Sequence, residues 1–139
     1  MMFFKLFVSE FLGTYMFLGT IFSVLQQNTF SSLTPVVIGL GLTTSIVIFG
    51  PISGGHYNPA VTLMDFTASK MNYWIEPIGH VSTVPKMLTY VSAQVLGGQC
   101  AMFSIRYIMH DKLELPTSDL STNPTSNPTS NVEIEMLNN

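Results

Sequence analysis

Charge is what this sequence lacks. Only 9% of its 139 residues are charged, against 47% hydrophobic and 12% aromatic, where soluble domains carry nearer a quarter charged residues. That deficit argues against an ordinary water-facing surface. With five basic residues and a net charge of −3, there is no basic stripe to hold a phosphate backbone, and nucleic acid is not expected as a partner. Much of the acid lies in the C-terminal tail. The one cysteine, Cys100, allows no internal disulfide and, within an apolar run, reads as a packing residue. His80 and His110 are scattered, without cysteine or carboxylate partners at ligand spacing, so no metal and no cofactor are expected. No nucleophile, base and orienting acid cluster together, which argues against an enzyme.

What is present is a set of long apolar runs. Candidate spans cover 3–25, 33–52 and 87–106, each about the 20 residues needed to cross a hydrocarbon core. The first contains Lys5, which can snorkel, and Glu10, which cannot so easily. The second has no charged residue, and the third has none before Arg106 at its far end. A signal peptide is the rival reading of the first run, but Glu10 would interrupt its apolar centre and no small-residue cleavage pattern follows. Beyond 112 the composition turns to Ser, Thr, Asn and Pro, with Asn-Pro-Thr-Ser at 123–126 and again at 127–130. Too little apolar surface remains there to fold, so 113–139 reads as a disordered tail. Its Asn-Pro pairs start no apolar helix, and proline in the middle position forbids glycosylation.

The most informative stretch is Ser53-Gly54-Gly55-His56-Tyr57-Asn58-Pro59-Ala60-Val61-Thr62. Asn58 is a favoured N-cap and Pro59 suits the first helical position, so a helix is expected to begin there. Two adjacent glycines permit a tight approach whose exposed carbonyls need partners that lipid cannot supply. With Asn58 as its cap and the helix taken to about 66, the stretch from Pro59 to Phe66 would be about 12 Å long against a hydrocarbon core of about 30 Å. It would stop near the midplane, with the positive end of its dipole and the Asn58 amide favouring a neutral solute's oxygen and opposing cations. The plainer alternative is an Asn-Pro cap on an ordinary surface helix. A polar connection follows over 72–85, with Pro77 and Pro85 as breakers.

The stretch resembles the first Asn-Pro-Ala box of the aquaporin and aquaglyceroporin family, the major intrinsic proteins. Two further segments are similar to that family: Glu10-Phe-Leu-Gly-Thr14 matches its first-span motif and Tyr90-Val-Ser-Ala-Gln94-Val-Leu-Gly-Gly98 its third. The resemblance implies an all-α membrane protein with three transmembrane helices and one re-entrant half-helix, half of an aquaporin-like fold over 1–112. It implies passive passage of water or a small neutral solute such as glycerol. In this reading Asn58 donates a hydrogen bond, Pro59 and Ala60 set the helix start, and Glu10 and Gln94 brace the loop. His56 joins that bracing or is satisfied by local backbone. Glu10 has an alternative as an interface charge, and Gln94 as a glutamine paired with a neighbouring helix. Counting back from Asn58, the family's size-selecting position falls on Ile38, whose aliphatic wall makes glycerol as plausible as water. Gly13, Gly19, Gly39, Gly41, Gly97 and Gly98 are expected at crowded helix crossings.

The family pattern has two three-span halves related by a twofold axis in the membrane plane, and the resemblance here covers one. A single copy would leave the polar loop unsatisfied against lipid, at several kcal/mol per backbone group. Besides the lipid bilayer, the expected partner is therefore a second half supplied by a homo-oligomer. Lys5, Lys70 and Lys86 would lie on one side and Arg106 and Lys112 on the other, a bias weak enough to allow both orientations. The alternative is a truncated, non-conducting family member that assembles with full-length channels.

Overall fold

In the computed structural model, residues 1–26, 32–71 and 81–113 are described, the side chains as far as Met109. They form four helices: α1 (Met2–Gln26), α2 (Thr34–Ser53), α3 (Pro59–Lys70) and α4 (Val84–Leu113). The central helix is α1, packed against α2 on one side and α4 on the other, while the short α3 packs against α4. By length and apolar composition α1 and α2 suffice to cross a membrane.

Local chemistry accounts for the ends. Thr34-Pro35 opens α2, where the missing proline N–H leaves no helical bond unmade. Its far end is closed by Gly54 at φ 94°, in the left-handed region open to glycine, with the Gly54 N–H donating to Gly50 O at 2.8 Å. Asn58 is the N-cap of α3, extended at φ −152° and ψ 122°, its side-chain oxygen accepting from the Ala60 N–H at 2.9 Å. The short helix runs four residues beyond the expected 66, to Lys70, because Thr67-Ala68-Ser69-Lys70 carries no breaker. At 1.5 Å per residue its 12 residues extend about 18 Å, still well short of a span. Pro85, expected in a breaker segment, instead lies in the first turn of α4, where proline is tolerated. The rest of the expected polar connection, 72–80, and the tail beyond 113 fall outside the described residues.

Burial is inverted relative to a water-soluble domain. Ser9, Glu10, Thr14, Ser45, Ser53, His56, Thr62, Asp65 and Gln94 are buried, whereas Val36, Val37, Leu40, Val47, Ile48 and Ile52 of α2 are exposed. This pattern fits a hydrocarbon solvent, in which apolar side chains face outward at no cost and polar groups must find partners within the protein. Cys100, expected to pack, is exposed on α4.

Lipid gives helices no hydrophobic reason to associate, so close approach depends on small residues. A Cβ on Gly97 would stand 2.5 Å from the Phe11 carbonyl oxygen, and one on Gly41 2.8 Å from Thr20. These two glycines sit at the α1–α4 and α1–α2 crossings. Gly98 faces a Leu18 methyl, Gly19 makes only ordinary contact with Ala101, and Gly39 faces open space. Gly39 is therefore no crossing residue, contrary to the expectation from sequence. Gly13 serves the approach loop: its missing side chain leaves room for the Tyr57 ring.

Replacing Gly97 by alanine is expected to destabilise the chain by about 1–3 kcal/mol through overpacking against backbone. Gly39→Ala should be neutral or stabilising by roughly 0.5–1 kcal/mol, because alanine is the better helix former. Unfolding of both variants in micelles checks this, and equal effects would contradict the assigned crossing.

Candidate pore site

The site is assembled around one carboxylate. Glu10, 0% exposed, projects from α1 toward the segment joining α2 to α3. Its Oε1 accepts from Ser53 Oγ at 2.6 Å and the His56 N–H at 3.1 Å, and its Oε2 from the Tyr57 N–H at 2.8 Å and Gln94 Nε2 at 2.8 Å. Two of these donors are backbone groups that no helix or strand would otherwise satisfy. Glu10 thus ties the loop to α1, and through Gln94 it ties α4 to both.

Surrounding groups complete the support. Ser53 Oγ also accepts from the Gly55 N–H at 3.3 Å, and Ser9 Oγ donates to the Phe49 carbonyl at 2.7 Å. The Tyr90 hydroxyl donates to the Ser53 carbonyl at 2.6 Å, and the Tyr57 hydroxyl to the Ser45 carbonyl at 3.0 Å. Tyr57 has φ 45°, an uncommon conformation for a residue with a side chain. Its N–H, ring and hydroxyl each have a fixed partner that holds it there.

Beyond the braced loop comes Asn58, exposed at the start of α3. Its carbonyl oxygen is engaged by the Ala60 N–H, which leaves the amide nitrogen as a donor. It opens on a cavity of about 410 Å³ between α1 and α4, lined by Thr14, Tyr57, Asn58, Pro59, Gln94 and Gln99 and by apolar groups such as Phe17 and Met102. Thr14 Oγ1 and Gln94 Oε1, both buried, have no hydrogen-bond partner among the described residues.

Of the residues singled out from sequence, Glu10, His56, Asn58, Pro59, Ala60 and Gln94 come together in this one assembly. Ile38 does not: half-buried on α2, it is absent from the cavity wall. The sequence reading missed Asp65, 1% exposed on α3, whose Oδ2 accepts the Val81 N–H at 2.8 Å just ahead of α4. The signal was available, since Asp65 is the first charged residue after Glu10, and an ionisable group at membrane depth is functional by default. Tyr57, Tyr90, Ser53 and Thr62 were passed over because their partners lie far away in sequence. Among the described residues no cluster of His, Cys, Asp or Glu could hold a metal ion.

A profile of the family described as Major intrinsic protein matches residues 1–139. The chain is 32% identical to Aquaporin NIP3-1 of Oryza sativa subsp. japonica over 82% of its own length and 36% of the relative's. It is 35% identical to Glycerol uptake facilitator protein-like 6 of Lactiplantibacillus plantarum over 72% of its length and 42% of that protein's. With human Aquaporin-9 it shares 30% identity over 72% of its length and 34% of the relative's. No solved structure matches. The chain spans between about a third and a half of the length of these curated relatives. A family match over the whole sequence, together with helices that bury their polar residues and turn their apolar ones outward, shows that the chain belongs to the major intrinsic protein family of integral membrane proteins.

Proposed function

We propose that the chain forms half of a passive channel for water or a small neutral solute such as glycerol, with Asn58 as the group that meets the solute. The observation that carries this reading is the capped start of α3. Because the side-chain oxygen of Asn58 is held by the Ala60 N–H, its amide nitrogen is left to donate at the cavity that Asn58 lines, and the helix dipole adds positive potential at the same point. A solute oxygen is attracted there and a cation is repelled. Gln99, exposed on the cavity wall, offers a solute both an acceptor and a donor. Water and polyols, which both donate and accept, suit such a path.

The second wall of the pore is supplied by another copy of the chain in inverted orientation. The near balance of basic residues on the two sides allows this. Names of relatives that include both aquaporins and a glycerol facilitator support the substrate class without choosing between the two solutes.

Purified chain in proteoliposomes is expected to speed osmotic shrinkage or glycerol entry over a protein-free control, and Asn58→Asp to reduce that flux or alter charge selectivity. Flux equal to the control would end the proposal. Capture of a full-length channel by a non-conducting chain would favour the alternative role as a channel partner.

Glu10→Gln should be still more damaging. It replaces an acceptor of four donors by an amide that must point hydrogens at two of them. Hydrogen bonds to a charged group contribute about 1.5–3 kcal/mol each, so a loss of at least about 3 kcal/mol in micellar unfolding is expected, with flux abolished. An unchanged unfolding midpoint would contradict the bracing role.

A further inference from the structure

Asp65 has no task in the solute path described above. It is 1% exposed, its Oδ2 lies 3.9 Å from His56 Nε2, and its Oδ1 and the His56 Nε2 have no hydrogen-bond partner among the described residues. His56 is enclosed from three helices. Glu10 of α1 takes its backbone N–H, Thr62 and Asp65 of α3 face its two ring nitrogens, and Tyr90 of α4 lies with its ring centroid 5.1 Å away. Tyr57 follows it in the loop, and α2 contributes no titratable side chain.

Hydrogen counting leaves two positions for the ring proton, and the charge beside Nε2 distinguishes them. An ionised Glu10 only accepts, so Gln94 must turn its NH₂ toward it and not its oxygen. One Gln94 hydrogen goes to Glu10 Oε2 and the other to Thr62 Oγ1, each at 2.8 Å. The Thr62 hydroxyl, accepting from Gln94, has a single hydrogen to give. Its nearer acceptor is His56 Nδ1 at 3.1 Å, ahead of the Asn58 carbonyl at 3.3 Å. With Nδ1 accepting, the ring proton sits on Nε2 and faces the Asp65 carboxylate. The opposite tautomer would set a bare nitrogen lone pair against a buried carboxylate, an unfavourable pairing at low dielectric.

We propose that Asp65 is a positioning residue that holds His56 in its Nε2–H tautomer. Its carboxylate stands 3.9 Å beyond the end of a run of donors from Gln94 through Thr62 to His56 and acts on the ring by charge. This run orients the loop two residues ahead of Asn58, and its importance for flux rests on the channel reading above. The tautomer itself can be measured whether or not the chain conducts.

The test is nitrogen NMR of the full chain in lipid nanodiscs with ¹⁵N-labelled histidine rings, two pH units above the ordinary histidine value of about 6.5. The His80 and His110 signals are identified by their Gln substitutions. His56 is expected as a single Nε2–H form. Asp65→Asn keeps an oxygen for the Val81 N–H but removes the charge, and the ratio of Nε2–H to Nδ1–H should fall about tenfold, the effect of roughly 1.4 kcal/mol. An Nδ1–H form in the unmodified chain, or an unchanged ratio in Asp65→Asn, overturns the proposal. Thr62→Val supplies a second arm should Asp65→Asn fail to fold. Retention of Nε2–H there assigns control to Asp65, and a mixture assigns it to the threonine and overturns the proposal. Absent flux in proteoliposomes would count against the channel reading and leave the tautomer result standing.

Discussion

A buried carboxylate that accepts from three separate elements is the constraint on which this fold depends. Moving an ionised acid out of water is costly unless its oxygens are fully engaged. Glu10 meets that condition with donors from Ser53 at the end of α2, from the loop backbone at His56 and Tyr57, and from Gln94 on α4. The dependence runs both ways, since the loop N–H groups would otherwise be orphaned at membrane depth. Neither the charge nor the irregular backbone is tolerable without the other. That mutual need explains how a non-helical segment can be held between α2 and α3.

The two ends of the short helix are secured differently. At its start, Asn58 and the Glu10 network fix the backbone. At its far end, Val81 is gripped on both sides, its N–H by Asp65 at 2.8 Å and its carbonyl by Ser69 Oγ at 3.2 Å. Val81 also packs with Leu6 and Tyr90, flanked by Phe66 and Met87, in the small apolar cluster at this end. A helix of 12 residues is marginal in isolation, so these tertiary anchors carry much of the burden. They also make α3 a rigid mount for Asn58.

Much of this was legible in the sequence where chemistry is local. Asn58-Pro59 declares a helix start through its own cap, and the long uncharged runs declare their lengths. Glu10 and Gln94 stood out because a charge or an amide inside an apolar helix needs a partner. What remained hidden depends on tertiary placement. The helix α3 runs four residues past the expected 66 because Thr67 to Lys70 carries no breaker, and nothing local reveals the grip on Val81. Tyr57 reads as one aromatic among many until its hydroxyl is seen to reach Ser45, and Gly39 and Gly41 look alike until only Gly41 meets Thr20. Cys100 was misplaced because an apolar run in a membrane protein can face lipid as readily as a core. Ile38 was reached by counting along α2, and the cavity at Asn58 is walled chiefly by α1 and α4.

One turn of α1 brings these requirements together. Glu10, Gly13 and Thr14 are spaced so that all three lie on one helical face, and each gives the loop something different. Glu10 supplies charge for backbone hydrogens, while Gly13 supplies the space that the Tyr57 ring fills. Thr14 contributes to the wall of the cavity on which Asn58 opens. A larger residue at Gly13 would push Tyr57 outward and draw its N–H away from Glu10. The positive φ of Tyr57 would then lose the contacts that hold it, and the following residue, Asn58, would move with it. Shape at position 13 and charge at position 10 therefore act on the same backbone, and the direction in which the Asn58 amide points is a consequence of both.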